Sequence, residues 1–511
     1  MNAWTVLLGV AWLLIFGEKV LGSRILIYSP TLSHSHVSFN GKLADLLTKA
    51  GHEVVLLLAD IDPLVATNGS RHATVMRVSM DLDRTRASST MWTNPGPFED
   101  SRILTRNITL KLWKVGKIMI DACEALANND ELLRTLRQYK FDIGMLEQYD
   151  SCAFGLLQAL NIETRVWLSA TAVWRMQPFA LGVEYPSSFV PELFAPFSDE
   201  MSFFDRLINF GVGQVTQLIY LYHSQATETE IFRRVKGRNF PDLLALSAGS
   251  QLSLINSMSV LDFPAPQSSN MLYSGGFTID KNRSYLTEEW KSIADNSKKG
   301  LVLMSFGAIA KTIDMPDEMQ SIIFRVFARF PDYTFVVKFE NISTTERVAS
   351  NVYLTSWIPQ VELMHHHKYR ALIAQAGWSS ILEALHNGSP MVLMPLFADH
   401  FKNAKVVEKR KVGIIIDKLR FTMEKFSDAL RAVLEDPAYT INAKRYSKML
   451  HDTPMPVEQL LVHQVGYAER HNRDIGRHAL VGLRLRFDQY RLADLFAMLL
   501  FSGLALGFLL S

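Results

Sequence analysis

Short apolar runs, each followed by a segment with helical spacing, recur along this chain in two series. The first opens at residues 24–28, passes through a helix pattern over 37–49 that stops at Gly51, and returns to an apolar run at 52–58. Runs of this length bounded by turn residues predict buried strands of a parallel sheet. Further strands are predicted at 142–146, 165–169 and 252–256, and 271–276 leads out of the series. A polar crossing at 277–297 follows. The second series starts at 300–305 and continues through 333–339, 352–355, 371–374, 391–396 and 412–416. Between its fourth and fifth strands, residues 380–387 carry helical spacing and end before Gly388, a usual helix stop. Two alternating strand/helix series joined by a polar crossing predict an α/β protein built of two Rossmann-like domains facing a cleft.

Both ends depart from this pattern. Residues 4–16 are apolar and lead to Val20-Leu21-Gly22, which reads as a signal peptide over 1–22. Residues 495–510 are apolar apart from Ser502 and predict a C-terminal membrane anchor. At a rise of about 1.5 Å per residue that anchor spans roughly 24 Å, short of the roughly 30 Å hydrocarbon core. The remaining divisions are a first domain over 23–276, a linker over 277–299, a second domain over 300–465, and return helices with a juxtamembrane segment over 466–494. Sequons begin at Asn68, Asn107, Asn282, Asn341 and Asn387, and the first four suit glycosylation in a lumenal protein.

Composition narrows the class. The 511 residues carry 53 Lys+Arg and 51 Asp+Glu, a net charge of +2 that leaves no nucleic-acid footprint. Cys123 and Cys152 are the only cysteines, which excludes a disulfide framework and a cysteine zinc site. A bridge between them is open, and two buried free thiols are the preferred expectation. His365-His366-His367 reads as a solvated loop, because consecutive side chains point apart and seldom share an ion. The run 208–222 suits membrane contact, an acceptor-lining helix or a core helix. The basic run 402–411 reads mostly as the wet face of a helix.

Chemistry concentrates between Trp357 and Asn403. Trp357-Ile358-Pro359-Gln360 opens the segment, Gln375-Ala376-Gly377-Trp378-Ser379-Ser380 leads to Glu383, and Pro390 precedes Asp399-His400. A strand turning through Gly377 into a helix exposes free N–H groups and a positive dipole end, a seat for pyrophosphate. Trp357 offers a flat ring for stacking, Gln360 both a donor and an acceptor, and Glu383 an acceptor for hydroxyls. Asp399 falls at the carboxyl end of a strand, where open α/β sheets bind ligands. In the loop after the first strand, Ser33-His34-Ser35-His36 holds two histidines with an intrinsic pKa suited to a general base.

This order of residues resembles the donor-binding signature of the UDP-glycosyltransferase family, whose animal members include the UDP-glucuronosyltransferases. Trp357, Pro359, Gln360, Gly377, Ser380, Glu383, Pro390 and Asp399 match the pattern. Gln375 stands for the usual His, Ser379 for the usual Asn and His400 for the usual Gln. The resemblance implies the GT-B arrangement, with an acceptor-binding first domain and a UDP-sugar-binding second domain. It implies His36 as the base, fifteen residues before Gly51 of Gly51-His52-Glu53. It places the supporting carboxylate at Glu147, with Asp150 as runner-up. Ser305 and Gly307 would approach the donor phosphates, while Ala308 replaces a serine often seen there. His400 would bear on the choice of sugar, since histidine at that position accompanies galactose transfer in some plant members. A protonated His400 would instead favour glucuronate.

The expected activity is inverting transfer of glucuronic acid or glucose from a UDP donor to a hydroxyl of a small lipophilic acceptor. The acceptor pocket would come from residues 79–236. No metal or other cofactor is implied beyond the UDP-sugar co-substrate, because the helix dipole and neutral contacts stand in for a cation. The expected location is the endoplasmic reticulum membrane, single-pass type I with lumenal domains, and homo-oligomers remain open. The departures at Gln375, Ser379, Glu147 and His400 keep a second reading alive: a degenerate member that binds lipophiles or UDP without turnover.

Overall fold

The computed structural model describes residues 22–80, 82, 96–101, 106–279, 285–340 and 348–475. The anchor over 495–510, the signal peptide up to residue 21 and the sequons at Asn282 and Asn341 lie outside the described residues. Among the described residues, no helix is long and apolar enough to cross a membrane.

The first half builds a seven-stranded parallel sheet from β1 (Arg24–Pro30), β2 (Glu53–Asp60), β3 (Thr74–Ser79), β4 (Ile143–Glu147), β5 (Thr164–Ser169), β6 (Leu252–Ile255) and β7 (Met271–Tyr273). Its order is β3-β2-β1-β4-β5-β6-β7. Helices pack on both faces, so every residue of β1 after Arg24 is buried. Leu26 and Tyr28 join one core cluster while Ile25 and Ile27 join the cluster on the opposite face. Burial on both faces is why these strands read as continuous apolar runs. β3 escaped the sequence pattern because it is a half-exposed edge strand with a mixed face.

The second half repeats the plan in six parallel strands: β8 (Gly300–Ser305), β9 (Tyr333–Lys338), β10 (Val352–Thr355), β11 (Tyr369–Ala374), β12 (Met391–Leu393) and β13 (Gly413–Ile415). Their order is β10-β9-β8-β11-β12-β13.

The helices that matter for the site are α1 (His34–Lys49), α2 (Arg106–Asn128), α3 (Cys152–Ala159), α4 (Phe203–Tyr220), α5 (Glu228–Lys236), α6 (Trp378–His386), α7 (His400–Lys409) and α8 (Val457–Arg470). A π-helical turn, Leu221–Thr227, joins α4 to α5. α8 crosses back: Leu461, Val465 and Ala468 pack in the cluster of Ile25 and Ile27, and Ser23 Oγ donates to Glu469 at 2.5 Å. The boundary expected at residue 465 therefore falls inside this helix.

Two expectations are corrected. Cys123 on α2 and Cys152 on α3 form a disulfide, with Cα atoms 5.6 Å apart, rather than two free thiols. The reason is the packing of α2 on α3, which no spacing along the chain reveals. The basic run 402–411 is not all wet face. Lys402 is 2% exposed and pairs with Asp262 of the first half at 3.1 Å. Arg410 donates to the carbonyls of Leu261 and Asp262 at 3.0 and 2.7 Å. With Trp378 Nε1 donating to Asn256 O, these contacts tie the two halves together beside the cleft.

Candidate active site

Each sheet reverses its strand order once, and open α/β sheets bind ligands at that point. In the first sheet the reversal lies between β1 and β4, which pair directly. α1 starts in the loop after β1 and carries His36 in its first turn, while Glu147 is the last residue of β4. The two side chains meet, with His36 Nδ1 3.4 Å from Glu147 Oε1. That is ion-pair distance, though Nδ1 makes no hydrogen bond of normal geometry among the described residues. A contact of this length between an imidazole and a carboxylate can tighten when a ligand binds beside it. His34, two residues earlier, is exposed.

Glu147 is fully buried and well supplied with donors. The N–H groups of Gln148 and Ala170 both donate to Oε1 at 3.3 Å. Asn40 Nδ2 donates to Oε2 at 3.1 Å and to Ser29 Oγ at 2.8 Å. Asn40 lies one turn beyond His36 on the same face of α1, so one helix presents both groups to the carboxylate. Tyr149 stacks on the His36 ring, with centroids 4.5 Å apart. Asp150 accepts from the N–H groups of Cys152 and Ala153 at the start of α3. Burial nevertheless pushes its carboxyl up to about 7.

In the second sheet the reversal lies between β8 and β11. Ser305 ends β8, and its Oγ accepts from Gly307 N at 3.3 Å. Gly307 has φ 75°, and a Cβ there would lie 2.5 Å from Gln375 Nε2. Gln375 follows β11 and thus lies over Gly307 with its buried Oε1 unpartnered among the described residues. Ala376 adopts φ 71° before Gly377 caps α6, whose first turn holds no acidic residue and no side-chain cap. The open N–H groups of α6 are where an anion would sit. Ser379 and Ser380 lie half-buried in that turn.

Trp357 is 66% exposed, with its ring free on the surface. Gln360 Nε2 donates to Glu383 Oε2 at 2.7 Å. Burial raises the Glu383 carboxyl, against the opposing effect of that bond and of Lys42. Asp399 Oδ2 accepts from Asn403 Nδ2 at 2.7 Å, and Asn403 also donates to Ala376 O at 3.1 Å. Asn403 therefore joins the two loops of the second switch point. His400 is buried against Phe397, ring centroids 4.6 Å apart, and burial pushes its pKa down to about 4. Burial thus favours the neutral imidazole at physiological pH.

Between the switch points lies an apolar cavity of about 300 Å³. Leu32 and Tyr149 wall it on the side of His36, Met119 and Trp174 from the helical layer, and Phe397 and Phe401 from the second domain. Burial raises the Tyr149 hydroxyl well above its ordinary range, and the charges of Glu147 and Asp399 add to the shift. Tyr149 thus stands between the carboxylates of the two halves. α4 is two-faced: Thr216, Ile219 and Tyr220 line the cavity, whereas Phe203, Phe204, Leu207 and Phe210 are exposed.

Residues 23–510 match the family described as UDP-glucoronosyl and UDP-glucosyl transferase. The chain belongs to the UDP-glycosyltransferase family. A Caenorhabditis elegans protein that carries the name UDP-glucuronosyltransferase ugt-50 is 30% identical over 449 residues, covering 86% of this chain and 84% of its own. The 2-hydroxyacylsphingosine 1-beta-galactosyltransferase of Rattus norvegicus is 26% identical over 96% of this chain and 87% of its own. Among solved structures, spinosyn rhamnosyltransferase SpnG superposes with TM-score 0.58 at 15% identity over 87% of this chain and all of its own. The glycosyltransferase VinC, solved in complex with DTDP, gives 0.57 at 16% identity over 88% of this chain and 99% of its own. These neighbours share the GT-B fold.

As a UDP-glycosyltransferase, the chain is a hexosyl-transferring enzyme. Its site holds groups that the family pattern did not announce. Asn40 carries no motif of its own and is found only because α1 faces β4. Lys338 Nζ donates to Gly307 O at 2.6 Å and braces the loop from β9. Phe397 and Phe401 bring the second domain into the wall of the apolar cavity, beyond the 79–236 region from which an acceptor pocket is expected. Away from the cleft, Asp295, His366 and His367 bring ligand atoms within 4.8 Å of one another. His366 Nδ1 accepts from Lys368 N at 3.3 Å, which leaves the proton on Nε2, 3.2 Å from Asp295. That tautomer occupies both ring nitrogens with protein partners.

Proposed function

We propose that this chain moves a hexose from a UDP donor to a hydroxyl of a small lipophilic acceptor, in a single inverting displacement. The observation that carries the reading is the His36–Glu147 pair at one switch point, set beside an apolar cavity and facing an open helix N-terminus at the other.

Glu147 is turned to Nδ1 of His36, so Nε2 is left to take the acceptor proton. As that proton moves, the acceptor oxygen forms its bond to the anomeric carbon and the bond to UDP breaks, the electron pair leaving with the phosphate. Glu147 stabilises the imidazolium that results. Trp357, Gln360 and Glu383 would hold the uridine, and Ser305, Gly307, Gln375, Gly377, Ser379 and Ser380 the diphosphate. Asp399 and His400 would meet the sugar. The helix dipole of α6 takes the charge of the leaving UDP without a resident metal.

The donor is UDP-glucuronate or UDP-glucose, and the name of the rat relative adds UDP-galactose as a third to assay. A neutral His400 reads hydroxyls rather than a carboxylate. The exposed apolar face of α4 supports a membrane-associated protein, and we place it in the lumen of the endoplasmic reticulum.

The test is UDP release from each of the three donors with a panel of lipophilic phenols and alcohols. Release that requires both an acceptor and His36 supports the transferase. UDP binding without release from any donor would favour the non-catalytic binder, for which the unpartnered Gln375 amide in the phosphate loop is the motivating feature.

A further inference from the structure

The acceptor cavity has one imidazole that the transfer mechanism does not use. His223 lines the cavity and is 4% exposed, yet neither Nδ1 nor Nε2 has a hydrogen-bond partner among the described residues. Two orphaned nitrogens on one buried ring are unusual, because each loses its bond to water without replacement. Burial lowers the pKa of His223, so the ring is neutral and offers one donor and one acceptor.

The ring is held in place rather than merely tolerated. His223 sits in the π-helical turn Leu221–Thr227, whose wider winding interrupts α4 and α5. Such turns are frequent at functional sites. Trp113 meets the ring edge-on at 4.3 Å, and Tyr222 does so at 5.2 Å. On α2, Gly116 leaves the space the ring fills: a Cβ there would lie 2.7 Å from His223 Cδ2. Two elements, α2 and the π-helical turn, thus cooperate to seat a neutral, unpartnered imidazole in a mainly apolar wall that also carries Lys111, Thr216 and Ser224. The same cavity contains Tyr149, which stacks on His36.

We infer that His223 is a specificity-determining residue: it hydrogen-bonds a second polar group of the acceptor, remote from the hydroxyl that receives the sugar. The preferred acceptors are then bifunctional lipophiles, apolar bodies carrying the reacting hydroxyl and a further neutral hydroxyl or carbonyl. A hydroxyl fits best, since it donates to one nitrogen type and accepts from the other. The neutral ring itself supplies no counter-charge for a carboxylate or an ammonium, although Lys111 lines another part of the same cavity. Trp174 Nε1, in the same wall, is also buried without a partner among the described residues. It can only donate, so it distinguishes a carbonyl from an alkyl group but does not replace His223. This inference rests on the acceptor reading of the cavity given above.

The experiment compares 4-phenylphenol with 4,4′-dihydroxybiphenyl, using the full chain and whichever of the three UDP-sugars supports turnover. After halving for its two equivalent hydroxyls, the diol should show kcat/KM about tenfold above the mono-ol, the gain from one neutral hydrogen bond. His223→Leu should bring that ratio to about one, chiefly by raising KM for the diol, and His223→Gln should restore part of it. Gly116→Ala, which displaces the ring while keeping it, should lower the ratio as well. Equal ratios in wild type and His223→Leu would overturn the role, and so would a parallel loss on both acceptors that Gln does not rescue. Quenching of tryptophan fluorescence on titration with each phenol runs the same comparison at equilibrium. If no donor is turned over, the transferase reading fails, while a diol preference in binding that disappears in His223→Leu still supports this one.

Discussion

Glu147 Oε1 lies 3.4 Å from His36 Nδ1, across the junction between β4 and the first turn of α1. The carboxylate is held from three other directions by Asn40 and the N–H groups of Gln148 and Ala170. It is therefore oriented before any substrate arrives. His36→Ala should lower turnover by about a hundredfold or more while UDP affinity stays within about twofold. Glu147→Gln should slow turnover less. Asp150→Asn should spare it, because Asp150 faces the start of α3. Steady-state kinetics with UDP binding measured in parallel check all three, and a normal His36→Ala enzyme would remove the assigned base.

Gly307→Ala should damage donor binding. The substitution forces an alanine into φ 75° and sets its Cβ against Gln375 Nε2. The backbone cost alone is about 1–2 kcal/mol, and the displaced amide lies in the loop proposed to hold the diphosphate. The expected outcome is a UDP Kd raised about tenfold, read by calorimetry, with a partial return in Gly307→Ala/Gln375→Ala.

Donor preference should be flat between pH 6 and 8, since His400 titrates at about 4. Competition between UDP-glucuronate and UDP-glucose across that range is the measurement. The same group makes stability acid-sensitive. With a folded pKa of about 4 against an ordinary 6.5, the unfolded chain takes up the proton first as pH falls. The stabilisation is complete above pH 6.5 and is lost between 6.5 and 4. Thermal melting of His400→Gln should accordingly fall less steeply through this window than that of the wild type.

Removing the Cys123–Cys152 bridge should destabilise the first domain. The bond closes a loop with a sequence separation of 29, for which chain entropy predicts about 3–4 kcal/mol. Melting with and without reductant, and of Cys123→Ser/Cys152→Ser, should give the same lowered midpoint. An unshifted midpoint would show that the helices hold the loop without the bond.

Lys402→Met should cost about 3–5 kcal/mol, because it leaves Asp262 buried and charged. Lys402→Met/Asp262→Asn should recover much of that loss, since asparagine removes the charge. Denaturant unfolding of both variants tests the pair, and equal losses would argue against coupling.

The chain alone determined the two parallel sheets, because strands covered on both faces must be apolar at every position, and such runs can be read off directly. The edge strand β3 was not legible for the same reason: half-exposed, it carries no such run. The family signature from Trp357 to Asp399 was legible because its residues follow one another along two βα units, so spacing in sequence is also spacing in space. Where partners come from distant segments, only the tertiary structure decided. Asn40 reaches Glu147, Lys402 reaches Asp262, Cys123 reaches Cys152 and Gly116 makes room for His223, each across an interface between separate elements. Local pattern reports which face of an element is buried. It does not report which residue of another element will stand opposite, because that depends on the order of the strands and the packing of the helices over them.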